Sequence, residues 1–291
     1  MKRSVITVVK GGLGNQMFCY AAARALALRT ERELLLDTRT GFRRDGYGRA
    51  YRLDRFPITA REAPPELCLG GDFRSPRHKL ARAIARIFPP NHRRYIAEKR
   101  DAGPEQLLGL SPAPRRIYLN GYWQNEAYFA DHAAAIRREL TPPEPADPEN
   151  QALAARIAAE SAPVFLHVRR VRYSPRLDAG YYRAAIERLR AKLPARPRFF
   201  LFGDDLDWAQ SSLGLAAEEC EAVSHNTDDE IADLFLMSRC RHGIAANSSF
   251  SWWAAWLVES PEPLVIFPAN PGWPMAPAKH WISVANSLET S

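Results

Sequence analysis

The chain has 291 residues, 46% of them hydrophobic and 25% charged, which is ordinary for a soluble globular protein and long enough for two domains. Its net charge of +7 is spread over many separate arginines rather than gathered in one basic tract. That pattern favours a phosphate-bearing small molecule as partner and argues against a nucleic-acid groove. The four cysteines, Cys19, Cys68, Cys220 and Cys240, are far apart and form no CxxC pair, as expected for free thiols in a reducing compartment. "MKRSVITVVKGG" has too short an apolar run for a signal peptide, and no stretch approaches the roughly 20 apolar residues of a membrane span. The expected location is the cytoplasm, at most at the periphery of a membrane.

In chain order, "VITVV" reads as a strand, "KGGLGNQ" as a turn, "MFCYAAARALALR" as a helix and "ELLLD" as a second strand. Residues 40–115 are irregular and rich in Arg, Pro and Gly. Order returns with "RRIYLNGYWQN" and the helix "EAYFADHAAAIRREL", in which Phe129, Ala133, Ile136 and Leu140 share one face. The four prolines of "TPPEPADPEN" cannot continue that helix, so this stretch is the interdomain linker. Beyond it, "PVFLHV", "RFFLF", "CEAV", "HGIAA" and "PLVIFP" read as strands that alternate with helical patterns. Such alternation implies a parallel sheet covered by helices, with ligands beyond the carboxyl ends of the strands. The expected architecture is α/β: domains 1–146 and 147–291 with a cleft between them.

Three segments are placed for ligand chemistry. In "GGLGNQ", Gly12 and Gly14 permit tight turns and close approach of a ligand to helix-terminal amides. A dinucleotide fingerprint, with Asp37 as its ribose acid, fails because Met17 stands where the third glycine belongs. A plain strand-to-helix turn explains Gly11 and Gly12 but does not call for Asn15 and Gln16. In "HVRR", strand alternation points His167 and Arg169 one way and Arg170 the other. One guanidinium fork can then meet phosphate oxygens while the other holds the scaffold; a solvated basic strand end is the competing reading. In "NSSFSWWAAW", Asn247 or Ser248 caps the last long helix, Ser249 and Ser251 add hydroxyls at its positive end, and the aromatics pack in the core. Of the acidic segments, "GDDLDW" resembles a DxD metal element but fits charge compensation at a helix start better, and "HNTDDE" either meets a purine or ribose or caps a helix. No P-loop lysine, nucleophile elbow or HExxH is present.

Taken in order, "GGLGNQMFCYAAARALA", "LLLDTRTGF", "YRLDRFPI", "NGYWQNEAYF", "HVRR", "FGDDLDW", "DLFLMSRCRHGIAANSSFSWWAAWL" and "VIFP" resemble the family 11 glycosyltransferases, the α-1,2-fucosyltransferases of bacteria and animals. The resemblance spans nearly the whole chain, and "GGLGNQMF" and "NSSFSWW" are its most specific parts. It implies a GT-B-like pair of Rossmann-like domains and inverting transfer of L-fucose from GDP-fucose to galactose O2 of an oligosaccharide or lipid-linked glycan. It also implies that neither metal nor cofactor is needed. By the same resemblance Arg169 carries the diphosphate with Asn247, Ser248 and Ser249 beside it. His167 and Asp228 touch the nucleotide, and Gly12, Gly14, Asn15 and Gln16 line the cleft. The family writes HxRRxDY, and here Arg172 stands in place of the acid. Asp178, the nearest acid downstream, is therefore expected to be the electrostatic partner of the arginines and the general base. The alternatives are a same-fold transferase using another nucleotide sugar and a catalytically silent relative that binds nucleotide or glycan.

Overall fold

The computed structural model describes residues 2–43, 45–69, 80, 83, 84, 87, 94–99, 103–110, 114–171 and 174–289. The chain divides into two compact units, Met1–Thr141 and Pro142–Ser291, at the start of the proline-rich stretch.

In the first unit, β1 (Ser4–Val8) leads through the glycine turn into α1 (Leu13–Arg29) and then β2 (Glu33–Asp37). Short strands β3 (Arg61–Glu62) and β4 (Tyr95–Ala97) precede β5 (Arg116–Asn120), and α2 (Ala133–Leu140) closes the unit. Among the described residues the strands form one sheet in the order β3-β2-β1-β5-β4, with every pairing parallel. Parallel strands are buried on both faces, so β1 is apolar without interruption and α1 buries Met17, Phe18, Tyr20 and Leu26 rather than a single stripe. Met17, where a dinucleotide fold needs glycine, is itself core.

α1 and α2 are joined by a buried carboxylate. Glu139 accepts bonds of 2.8–3.1 Å from the Arg24 guanidinium, a 3.1 Å bond from Thr59 Oγ1 and a bond from the Tyr20 hydroxyl. Burial alone pushes the Glu139 carboxyl up, but these donors overcome it and hold the group below the usual range.

The second unit opens with α3 (Pro148–Ala159), which Asp147 caps through a 2.8 Å bond from Asn150 N, with Pro148 at the first helical position. There follow β6 (Pro163–Val168), β7 (Arg176–Leu177), α4 (Ala179–Lys192), β8 (Arg198–Gly203), α5 (Leu206–Ser212) and β9 (Cys220–Ala222). Then come α6 (Glu230–Arg239), β10 (His242–Ile244), α7 (Ser249–Leu257), β11 (Val265–Pro268), β12 (Ile282–Val284) and β13 (Leu288–Glu289). The main sheet is parallel, in the order β12-β11-β10-β6-β8-β9, and β13 pairs antiparallel with β7 beside it. The chain starts in the middle at β6, winds outward to β9, returns to β10 and winds out the other way. This is the doubly wound Rossmann order, and its switch point lies between β6 and β10.

Within α7, Trp252, Trp253 and Trp256 are core residues packed on one another, and Trp252 Nε1 donates a 2.8 Å bond to Ala276 O. The carboxyl ends of β6 and β8 meet tightly. Gly203 has φ +133°, and a Cβ there would lie 1.9 Å from Val168 O. Gly203→Ala must therefore push the two strand ends apart. We expect a loss of about 3 kcal/mol in the stability of this unit, measured by urea denaturation; an unchanged midpoint would show that the junction tolerates a side chain.

Candidate active site

The switch point of the second unit brings together the residues after β6 and those after β10. Arg169 and Arg170 diverge there as strand alternation requires. The Arg170 side chain is 11% exposed and tied down on several sides. Its guanidinium lies 3.8 Å from the Trp208 ring centroid, Nη1 donates to Leu177 O at 2.9 Å, and Nη2 meets Glu289 Oε2 at 3.2 Å. The Arg169 side chain is 42% exposed, with Nη1 2.8 Å from Asp204 Oδ2. Arg170 holds the scaffold, and Arg169 presents charge to solvent.

The acid beside the pair is Asp204, not Asp178. Asp204 Oδ1 accepts a 2.7 Å bond from the Arg170 amide, so one carboxylate touches both arginines. Asp178 instead caps α4, its Oδ1 accepting a 3.1 Å bond from Tyr181 N. Its short polar side chain before a helix satisfies an orphan amide, which is the commoner use of aspartate at such a place. Arg172, which stands where the family's motif has its acid, lies outside the described residues.

Asp205 caps α5 with Oδ1 3.3 Å from Trp208 N, and Asp207 lies in the first turn, so "GDDLDW" is a helix start. Among the described residues no group of three or more His, Cys, Asp or Glu side chains is placed to hold a metal ion. His167 is buried at the end of β6, 5.5 Å from the Phe250 ring. Burial, reinforced by the Arg169 charge, drives its pKa down to about 3, so it presents a neutral imidazole.

The segment after β10 divides its work. Asn247 is fully buried, and its amide group donates to Pro175 O at 2.9 Å and Pro271 O at 3.1 Å, which pins two loops at this edge. Ser248 is the helix cap, accepting a 3.2 Å bond from Phe250 N. Ser249 is the first residue of α7, half-buried, where helix amides lack intrahelical partners. Ser251, expected to add a hydroxyl at the positive end, turns away: it is buried and donates to Ala246 O at 3.1 Å. Tyr181, which the sequence did not single out, ties α4 to this segment through a 2.7 Å bond from its hydroxyl to Ala245 O.

In "HNTDDE", Asp229 caps α6 while Asn226 bonds Asn150 and Asp233, and Asp228 is exposed in the turn after β9. Asp228 thus sits on the ligand edge, two strands from β6.

The first unit has its own switch point between β1 and β5. Gly12 is the N-cap position of α1 and Gly14 is buried within its first turn. Asn15 and Gln16 separate in function. Asn15 Oδ1 accepts a 2.7 Å bond from Gln124, in the loop after β5, whereas Gln16 is buried and holds residues 50–52 through Ala50 O and Arg52 N. Beside Asn15, Lys10 Nζ donates to Asn120 Oδ1 at 2.9 Å and lies 4.7 Å from the Tyr122 ring centroid. Trp123 is held buried at φ +58° while Glu98 accepts from the Tyr122 and Trp123 amides at 2.7 and 2.9 Å. A non-glycine residue in that conformation is strained and is kept there by its surroundings.

Two Rossmann-like units, each built on a parallel sheet with its own switch point, define a GT-B-like fold. The chain belongs to glycosyl transferase family 11, whose sequence model matches residues 92–278, and it is a glycosyltransferase. It is 30% identical over 268 residues to the alpha-1,2-colitosyltransferase of Escherichia coli, covering 87% of each chain. It is 28% identical to the O-antigen biosynthesis glycosyltransferase WbnK of Escherichia coli, covering 89% of this chain and 92% of that one. Among solved structures, a mutant of Arabidopsis thaliana FUT1 in complex with GDP matches at a TM-score of 0.55 and 14% identity, covering 93% of this chain and 72% of that one. NodZ alpha-1,6-fucosyltransferase soaked with GDP-fucose matches at 0.52 and 18% identity, covering 94% and 97%. Among the described residues no helix is long and apolar enough to cross a membrane.

The two arginines should separate in denaturation experiments. Arg170→Ala loses the ring contact and charge-assisted bonds, and we expect about 3 kcal/mol of destabilisation. Arg169→Ala loses a part-exposed ion pair and should cost about 1 kcal/mol or less. Equal losses would contradict the division between scaffold and presented charge.

Proposed function

We propose that this protein transfers L-fucose from GDP-fucose to a glycan hydroxyl, galactose O2, with inversion at the sugar carbon. The observation that carries this reading is the half-exposed Arg169 just after β6, with the N-terminus of α7 just after the neighbouring strand β10, in a family 11 chain. Support for the sugar and linkage comes from a mouse relative, galactoside 2-alpha-L-fucosyltransferase Sec1, 30% identical over 104 residues.

Cleavage of the bond between the sugar and GDP leaves negative charge on the diphosphate. A planar, permanently charged guanidinium and unpaired helix amides, fixed before reaction, stabilise that charge more in the transition state than in the ground state. Ser248 and Ser249 offer the helix-terminal contacts in this reading. Asn247 shapes the loop around them, and neutral His167 and exposed Asp228 serve the nucleoside. The acceptor belongs to the β1/β5 switch point of the first unit, at Asn15 and the glycine turn. The positive groups supply the charge stabilisation that a metal supplies elsewhere, so transfer proceeds without one.

Transfer from GDP-fucose to galactosides, followed by mass spectrometry with and without EDTA, tests the proposal. We expect turnover that resists chelation, and a fall of about 10³-fold in Arg169→Ala that Arg169→Lys recovers poorly. Wild-type turnover in the alanine variant would remove Arg169 from the reaction. The colitosyltransferase relative, matched over 87% of this chain, favours one second reading, a donor carrying another sugar. Binding of GDP with no turnover of GDP-fucose would select that reading or a silent binding protein.

Asp178 is the proposed base for the acceptor hydroxyl, because α4 starts on the ligand edge of the sheet and no hydrogen bond among the described residues uses its Oδ2. Asparagine caps a helix as well as aspartate but cannot take up the proton. Asp178→Asn should therefore keep the melting temperature and lose about 10²-fold or more in transfer. Undiminished transfer would leave Asp178 as a cap alone.

A further inference from the structure

β6 and β8 pair in parallel with Val168 opposite Gly203, so the first residues beyond the two strands, Arg169 and Asp204, are neighbours across the sheet edge. The main chain of Asp204 is tied to β6 by a 3.3 Å bond from its amide to Val168 O, and its Oδ1 takes the Arg170 amide at 2.7 Å. Those two bonds leave the carboxylate little freedom. Its other oxygen, Oδ2, is shielded from solvent and has no aligned hydrogen bond among the described residues; what it meets is the Arg169 charge, 2.8 Å away.

From this we propose that Asp204 is a positioning residue for Arg169, setting its guanidinium from the neighbouring strand. The proposal rests on the reading that Arg169 meets the diphosphate. A free arginine side chain has many rotamers and must be ordered before its fork can meet two phosphate oxygens. A fixed carboxylate against one end of the guanidinium chooses the rotamer in advance and offsets the repulsion between adjacent arginines. Asp204 also places a negative charge near the phosphates, which weakens ground-state binding. Its effect on binding and on chemistry should therefore be opposite, unlike that of a residue that only holds the fold.

The test is a double-mutant cycle on Asp204 and Arg169, read as single-turnover transfer rates with enzyme in excess and as GDP affinity by calorimetry. We expect Asp204→Ala to slow transfer about 10²-fold while GDP binds as tightly as in the wild type or more tightly. Asp204→Asn, which retains an acceptor for the Arg170 amide, should follow it, and carries the test should the alanine variant fail to fold. In an Arg169→Ala background the same changes should alter the rate by less than about 3-fold. An undiminished effect in that background, or parallel loss of GDP affinity and rate, overturns the proposal. So does wild-type transfer in both Asp204 variants. If Arg169→Ala itself transfers at the wild-type rate, the diphosphate reading fails separately.

Discussion

The parting of β6 and β10 at their carboxyl ends is the constraint on which the site depends. Within the sheet these strands are bonded neighbours, His242 opposite Val164 and Ile244 opposite Leu166, but their outgoing chains run to helices wound in opposite directions. The crevice this leaves is bordered by backbone that has stopped pairing with itself. One side offers the arginine pair after β6 and the other the amides at the start of α7. Topology alone makes this edge suited to an anion, before any side chain is considered. The side chains then decide which anion and in what pose.

Charge at this edge is balanced locally. Two adjacent guanidinium groups face Asp204, Asp205 and Glu289, and Arg170 is further confined against Trp208. Arg170 is therefore spent on structure, and Arg169, 42% exposed, is the guanidinium of the pair that solvent reaches. His167 contributes no positive charge, because burial beside Arg169 keeps its imidazole neutral down to about pH 3. As pH falls below the ordinary histidine range, the unfolded chain takes up a proton here that the folded chain refuses. His167 thus withdraws stability progressively on the acid side.

How much of this was legible follows the range of the interactions. Alternation of short apolar runs with helical patterns marked β6, β8, β10, β11 and the helices between them, and the period of two along β6 separated Arg169 from Arg170. The tryptophans of "SSFSWWAAW" read correctly as core, whereas Phe250 is half-buried. What escaped were pairings between distant segments with no local period: two-residue strands such as β3 and β7, the hold of Gln16 on residues 50–52, and Glu139 receiving Arg24. Asp178 was expected beside the arginines, and the bond described for it is the cap of α4. Capping and ion pairing ask for the same residue, and a linear sequence does not show which partner is nearer.

Asp204 lies 34 residues from the arginine amide it accepts, yet its place follows from sheet geometry. In a parallel pair, residues in register at the strand ends emerge side by side, so a charge just after one strand can be answered just after the next. Asp204 reaches the guanidinium of Arg169 across the ladder rather than along the chain. The route across the ladder demands more of the backbone. Gly203 must accept φ +133° against Val168 O for the next residue to turn inward. A glycine followed by an acid at the end of a neighbouring strand is therefore a sequence feature that marks a carboxylate partner for an arginine pair.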